Sequence, residues 1–129
     1  MTYEQLAPDL QHMPDLPHIP DFQHIDDDEC HRFQGTMELI GRRWSSAILL
    51  ALTRGAERFS EIRAVIPGLS DRLLSQRAKE LEAAGLIERR VVASTPVQIS
   101  YHLTRRGADL MESLQPLAHW GQQWGDLPR

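Results

Sequence analysis

RFSEIRAVIPGLSDRLLSQRAKELEAAGLIERRVV, residues 58–92, is the stretch on which the fold turns. Ser60 reads as the cap of a short helix whose Ile62, Val65 and Ile66 face inward, and Pro67-Gly68 then makes a tight turn. A longer helix follows, with Ser70 as N-cap, Asp71 in its first turn and Gly85 as its C-terminal punctuation. Leu74, Ala78 and Leu81 form its buried stripe. The opposite side carries Arg72, Ser75, Gln76 and Lys79, with Arg77 at the border. After Gly85 the period changes to two: LIERRVV is a strand, ASTP a turn, and VQISYHL a second strand in which Val97, Ile99, Tyr101 and Leu103 alternate with polar residues. Helix, turn, helix and hairpin therefore occur in immediate succession.

Upstream, HRFQGTMELIG (31–41) sets Phe33, Met37 and Ile40 on one helical face and stops at Gly41. SSAILLALTRG (45–55) follows Trp44, with Ser45 as cap, Gly55 as terminator and an apolar middle that belongs in the core. Downstream, RRGADLMESLQPLAHWGQQWGD (105–126) repeats Leu110, Leu114, Leu117, Gly121 and Trp124 at alternating steps of four and three, a continuous seam that Met111, Ala118 and Trp120 widen. Pro116 lies mid-seam and should bend the helix. A domain this small has no spare layer to bury that seam, so a partner subunit is expected to cover it; the alternative is folding back on the first two helices. The expected class is mostly α with a small β-hairpin (α+β): a winged helix-turn-helix with N- and C-terminal dimerisation helices, Phe33 and Met37 contributing from the first.

In that architecture the second helix of the turn lies in the major groove of DNA and the hairpin touches the flanking backbone. The residue types suit it: arginine pairs with guanine, glutamine with adenine, and serine or lysine holds bases or phosphates. Ser70, Arg72, Ser75, Gln76, Arg77 and Lys79 are the candidates on the helix, and Arg89 and Arg90 at the hairpin base are phosphate contacts, since the tip ASTP has no basic residue. On an isolated helix the same residues would be an ordinary solvated face.

Composition narrows the classes further. The 129 residues carry a net charge of −4, but residues 1–34 hold eight acids against one arginine, a net of −7, and residues 35–129 a net of +3. An acidic arm, residues 1–29, precedes a mildly basic domain, residues 30–129. The arm reads as a degenerate hexad, LAPDLQ, HMPDLP, HIPDFQ, HIDDDE, with apolar residues at every third position from Leu10 to Ile25. That period fits a polyproline II strap docked along its apolar edge, and the composition also fits a disordered tail. The longest apolar run, Ala47 to Leu52, is too short for a bilayer and the N-terminus lacks signal-peptide character, so no membrane association and a cytoplasmic location are expected. One cysteine excludes an intrachain disulfide and makes structural zinc improbable; no metal and no cofactor are expected. No catalytic set is recognisable either, with no Gly-rich phosphate loop and no convincing Ser/His/Asp arrangement.

From Cys30 to Trp124 the chain resembles the HxlR-type winged-helix transcriptional regulators, through LIGRRW (39–44), residues 58–91, TPVQISYHLT (95–104) and HWGQQW (119–124). The resemblance implies a homodimeric bacterial regulator joined through its first and last helices, reading double-stranded DNA with the longer helix that begins after Ser70. It also implies that a cysteine at this distance before the IGRRW motif can act as a redox switch, which makes Cys30 a candidate sensor. A helix start favours an anion there, whereas Asp27, Asp28 and Glu29 oppose one. Two departures from the family stand out: His31 in place of a common proline, and Ala78 in place of a leucine in the buried stripe. The effector would be an oxidant or electrophile acting at Cys30. The alternatives are a small aromatic ligand seated between Trp44, Trp120 and Trp124, and a protein-interaction module that does not bind DNA.

Overall fold

The computed structural model describes residues 24–126, and the hexads before His24 lie outside them. Its elements are α1 (Asp27–Gly41), α2 (Ser45–Thr53), α3 (Phe59–Val65), α4 (Asp71–Ala83), β1 (Ile87–Val92), β2 (Gln98–Leu103) and α5 (Arg105–Gln123). The strands pair antiparallel, from Ile87 opposite Leu103 to Val92 opposite Gln98, and an isolated bridge from Arg58 to Ser100 extends the outer edge of β2. This is the expected winged helix-turn-helix. The described residues divide into two units, with the boundary between Leu39 and Ile40, inside α1.

Within the second unit the core is built where the apolar periodicities converge. Ile48 and Leu49 of α2, Ile62 of α3, and Leu74 and Leu81 of α4 are at most 1% exposed, and Ile66, Leu69, Leu86, Ile87 and Tyr101 close the layer around them. Each such side chain contributes roughly 1.5–3 kcal/mol by leaving water. Ala78 is buried in the same stripe, so the smaller residue sits inside the packing. The helix ends follow local chemistry: Ser70 Oγ accepts from the Leu73 N–H (3.1 Å), and Gly85 adopts the left-handed backbone (φ 76°) that closes α4 without a Cβ penalty.

Three local expectations need correction. Ser45 does not cap α2: Trp44 takes the cap position with a left-handed backbone (φ 80°), which places Ser45 inside the first turn, buried, its hydroxyl without a hydrogen-bond partner among the described residues. Ser60 does not cap α3, because the Tyr101 N–H donates to the Glu57 carbonyl (2.8 Å) and the bridge to Ser100 holds Arg58 extended; the helix starts directly after Arg58, whose N–H donates to Glu61 Oε1 (3.2 Å). Val65 does not face inward. Ile62 and Ile66 occupy the packed side, and Val65, 60% exposed, lines an open groove between α2 and α3.

The start of α5 is anchored on the hairpin base. Thr104 Oγ1 accepts from the Gly107 N–H (3.1 Å) and donates to the Gly85 carbonyl, while the Thr104 N–H donates to the Leu86 carbonyl (3.0 Å). Gly107 lies so close to the Leu86 carbonyl that a Cβ there would collide with backbone.

Candidate nucleic-acid interface

On α4 the buried stripe of Leu74, Ala78 and Leu81 leaves Arg72, Gln76 and Lys79 within an arc of about 60° on the opposite side, at roughly 100° per residue. All three are exposed, and none has a hydrogen-bond or ion-pair partner among the described residues. Ser75 lies on one flank of this arc, half-buried, where it lines a cleft with Phe59, Ser60 and the Val97–Ile99 stretch of the hairpin. Ser70 is exposed at the head of the helix, with its oxygen already accepting the capping bond.

Arg77 is placed differently. Its side chain is 16% exposed; Nε donates to the Arg43 carbonyl (2.9 Å) and Nη1 to Glu80 Oε1 (3.1 Å), so it faces the loop before α2 and stands apart from the arc. Arg63, which periodicity did not single out, spans the turn between the helices: Nε donates to the Leu69 carbonyl (3.2 Å) and Nη1 meets Asp71 Oδ1 at 2.9 Å. An i, i+3 pair such as Arg77–Glu80 is legible on a helix. The Arg63–Asp71 link crosses a Pro-Gly turn whose course no periodicity specifies.

The hairpin separates its two arginines. Successive strand residues point to opposite faces, so Arg89, opposite Tyr101, and Arg90, opposite Ser100, cannot serve one line of phosphates together. Arg90 Nε meets Glu88 Oε1 at 3.3 Å, whereas Arg89 has no such partner among the described residues. His102, opposite Glu88, bonds the Ser100 hydroxyl through Nε2 (3.0 Å), and its Nδ1 lies 3.9 Å from Glu57 Oε1.

Cys30 lies in α1 as its fourth residue, half-buried, with its N–H already donating to the Asp26 carbonyl (2.9 Å). Asp26 Oδ1 in turn accepts the Glu29 N–H (2.8 Å), so a carboxylate already takes one of the free N–H groups expected to favour an anion at the thiol. Gln34 Nε2 approaches Sγ at 3.9 Å. Phe33 and Met37 are exposed. On α5, Leu110, Leu114 and Gly121 are half-buried and Leu117 and Trp120 exposed, as is Trp124 at its C-cap. A groove of about 790 Å³ runs between α2 and α5, with Leu50, Met111, Leu114 and Leu117 in its walls. Trp44 lines the groove between α2 and α3, and neither Trp120 nor Trp124 is among that groove's lining residues.

Comparison with known proteins places these features in a wider set. The family model for HxlR-like helix-turn-helix proteins matches residues 39–128. YvaP of Bacillus subtilis (strain 168), an uncharacterized HTH-type transcriptional regulator, is 42% identical over 97 residues, which cover 75% of this chain and 90% of YvaP. The structure of YodB from B. subtilis after diamide treatment superposes with a TM-score of 0.64 at 37% identity, covering 73% of this chain and 93% of YodB. The redox regulator HypR in its reduced form superposes with a TM-score of 0.69 at 29% identity, covering 74% of this chain and 94% of HypR.

Proposed function

The chain belongs to the HxlR-like helix-turn-helix family and is a transcriptional regulator, and from that premise we propose that it reads an inverted-repeat operator as a homodimer, with α4 in the major groove of each half-site. The carrying observation is the arc of Arg72, Gln76 and Lys79: exposed, unengaged among the described residues and diametrically opposite the buried stripe. Arg72 and Gln76, with Ser75 beside them, carry base discrimination; Lys79 and Arg89, the hairpin arginine without an ion-pair partner among the described residues, hold phosphates. The exposed apolar residues of α1 and α5, Phe33, Met37, Leu117, Trp120 and Trp124, supply the dimer contact. Two-fold symmetry then requires half-sites about one helical turn, ~34 Å, apart or a multiple of it.

Cys30 is proposed as the point at which an oxidant acts. The relatives YodB and HypR have been seen in diamide-treated or oxidised form and in reduced form. With one cysteine per chain, a lasting oxidised form is a disulfide to Cys30 of the second subunit or to a small thiol, the oxidant accepting two electrons.

One experiment addresses both parts. Selection of bound duplexes from a random pool, with reduced and with oxidant-treated protein, should enrich an inverted repeat in the reduced arm and lose or alter it in the oxidised arm. Binding should also fall steeply as salt rises, because counterions compete for the phosphates. Binding that barely changes with salt sinks the DNA reading. Enrichment that is identical in both arms, and the same for Cys30→Ser, removes the switch.

A further inference from the structure

Arg42 and Arg43 precede α2, Arg63 lies in α3 and Arg77 at the middle of α4, and Arg42, Arg63 and Arg77 each meet a carboxylate. At the near end, Arg63 ties the α3–α4 turn to the first turn of α4 through the Leu69 carbonyl and Asp71. Toward the far end, Glu80 receives Arg77 Nη1 on both oxygens (3.1 and 3.4 Å) and Arg42 Nη1 on one (3.1 Å), while Arg77 Nε holds the Arg43 carbonyl. The two ties differ in exposure: the side chains of Arg77 and Glu80 are 16% and 24% exposed, those of Arg63 and Asp71 50% and 66%. Water screens the outer pair heavily, and Arg42 too at 55% exposure, so the Arg77–Glu80 pair dominates.

The loop that accepts this cluster also touches the turn before α4. Arg43 and Trp44 stack, with the guanidinium carbon 4.7 Å from the ring centroid, and a Cβ on Gly68 would lie 3.3 Å from Trp44 Cη2. Residues 42–44 thus contact α4 in its second half and the turn at its head. Around the α4 axis Arg77 is about 100° from Gln76 and still farther from Arg72 and Lys79, too far to share their groove.

We infer that Arg77, with Glu80 and Arg42, is a positioning residue that fixes the angle at which α4 presents Arg72 and Gln76, and that it makes no contact with DNA. The inference rests on α4 being the reading helix. A planar fork that grips a carboxylate and a carbonyl at once defines direction as well as distance, which a lysine ammonium cannot reproduce. Losing the cluster should therefore loosen the reading face without removing any charge from it.

The test uses the full-length protein, a duplex that wild type enriches from a random pool, and a scrambled duplex of the same composition. Arg77→Lys and Glu80→Gln should lower the ratio of the two affinities about tenfold, the scale of one lost bidentate base contact. Affinity for the scrambled duplex, the slope of affinity against salt and the unfolding midpoint should stay near wild type. An Arg77→Gln protein that binds both duplexes equally weakly, with a salt slope lower by about one, would make Arg77 a phosphate contact and overturn the inference. A second measurement needs no DNA: the Nε–H of Arg77 should exchange with solvent more slowly than that of Arg72, and equal rates overturn the inference as well. If wild type enriches no sequence, the reading of α4 fails and takes the inference with it. If it enriches one and Arg77 behaves as a phosphate contact, only the inference fails.

Discussion

Gln76 and Arg77 are neighbours in the chain and have opposite surroundings. One helical step carries the side chain from open solvent to a cluster with Glu80 and the Arg43 carbonyl. At this scale the sequence separated the buried from the exposed side of α4 but not the state of each side chain on it, because a helical wheel records direction and says nothing of what another loop brings alongside. Arg72 and Gln76 are unengaged among the described residues, so their contributions to binding should be separable. On the enriched duplex, Arg72→Ala or Gln76→Ala should cost ~1–3 kcal/mol and relax preference at one base pair, as measured by fluorescence anisotropy against single-base variants. Arg89→Ala should weaken every duplex alike. Uniform loss for Arg72→Ala and Gln76→Ala too would show that α4 does not read bases.

Each element is defined by its ends, and the ends divide by how local their causes are. Ser70 and Gly85 punctuate α4 as expected, since a serine cap and a left-handed glycine act within a few residues of themselves. Ser45 and Ser60 do not cap, because the left-handed backbone of Trp44 and the bridge between Arg58 and Ser100 decide where α2 and α3 begin. The start of α5 combines both kinds of cause. Thr104→Val removes its cap and its bond to the Gly85 carbonyl and should cost about 1–2 kcal/mol. Gly107→Ala drives a methyl into the Leu86 carbonyl and should cost about 1–3 kcal/mol. Urea unfolding followed by circular dichroism measures both, at fixed protein concentration because a dimer's midpoint depends on it. A Gly107→Ala protein as stable as wild type would mean that α5 does not sit against the hairpin base as described.

For the whole molecule the open question is what covers the outer side of α5. Leu117 and Trp124 are 52% and 61% exposed, and the groove between α2 and α5 is walled largely by apolar side chains. A monomer leaving this much apolar surface in water invites association. Leu117→Lys should shift the protein from dimer to monomer in sedimentation equilibrium and abolish tight binding to a two-half-site duplex, while leaving weak binding to a single half-site. A wild-type protein that sediments as a monomer at micromolar concentration would refute the dimer.

Periodicity and turn chemistry determine the order of elements, the winged helix-turn-helix and the buried stripe of α4, because these arise from interactions within one or two helical turns or one hairpin. The motifs from LIGRRW to HWGQQW carry the family as well. What the tertiary structure alone decides is which polar side chains are spent on the fold. Arg63 bonds across the turn to Leu69 and Asp71, Arg77 and Arg42 meet on Glu80, and Trp44 is turned into a left-handed backbone against Gly68. Arg77 and Arg43 are 34 residues apart in sequence, and an arginine's charge and reach are the same whether it grips a neighbouring loop or faces solvent. Only the folded path of the backbone brings a carbonyl or carboxylate to one guanidinium and leaves the next one free.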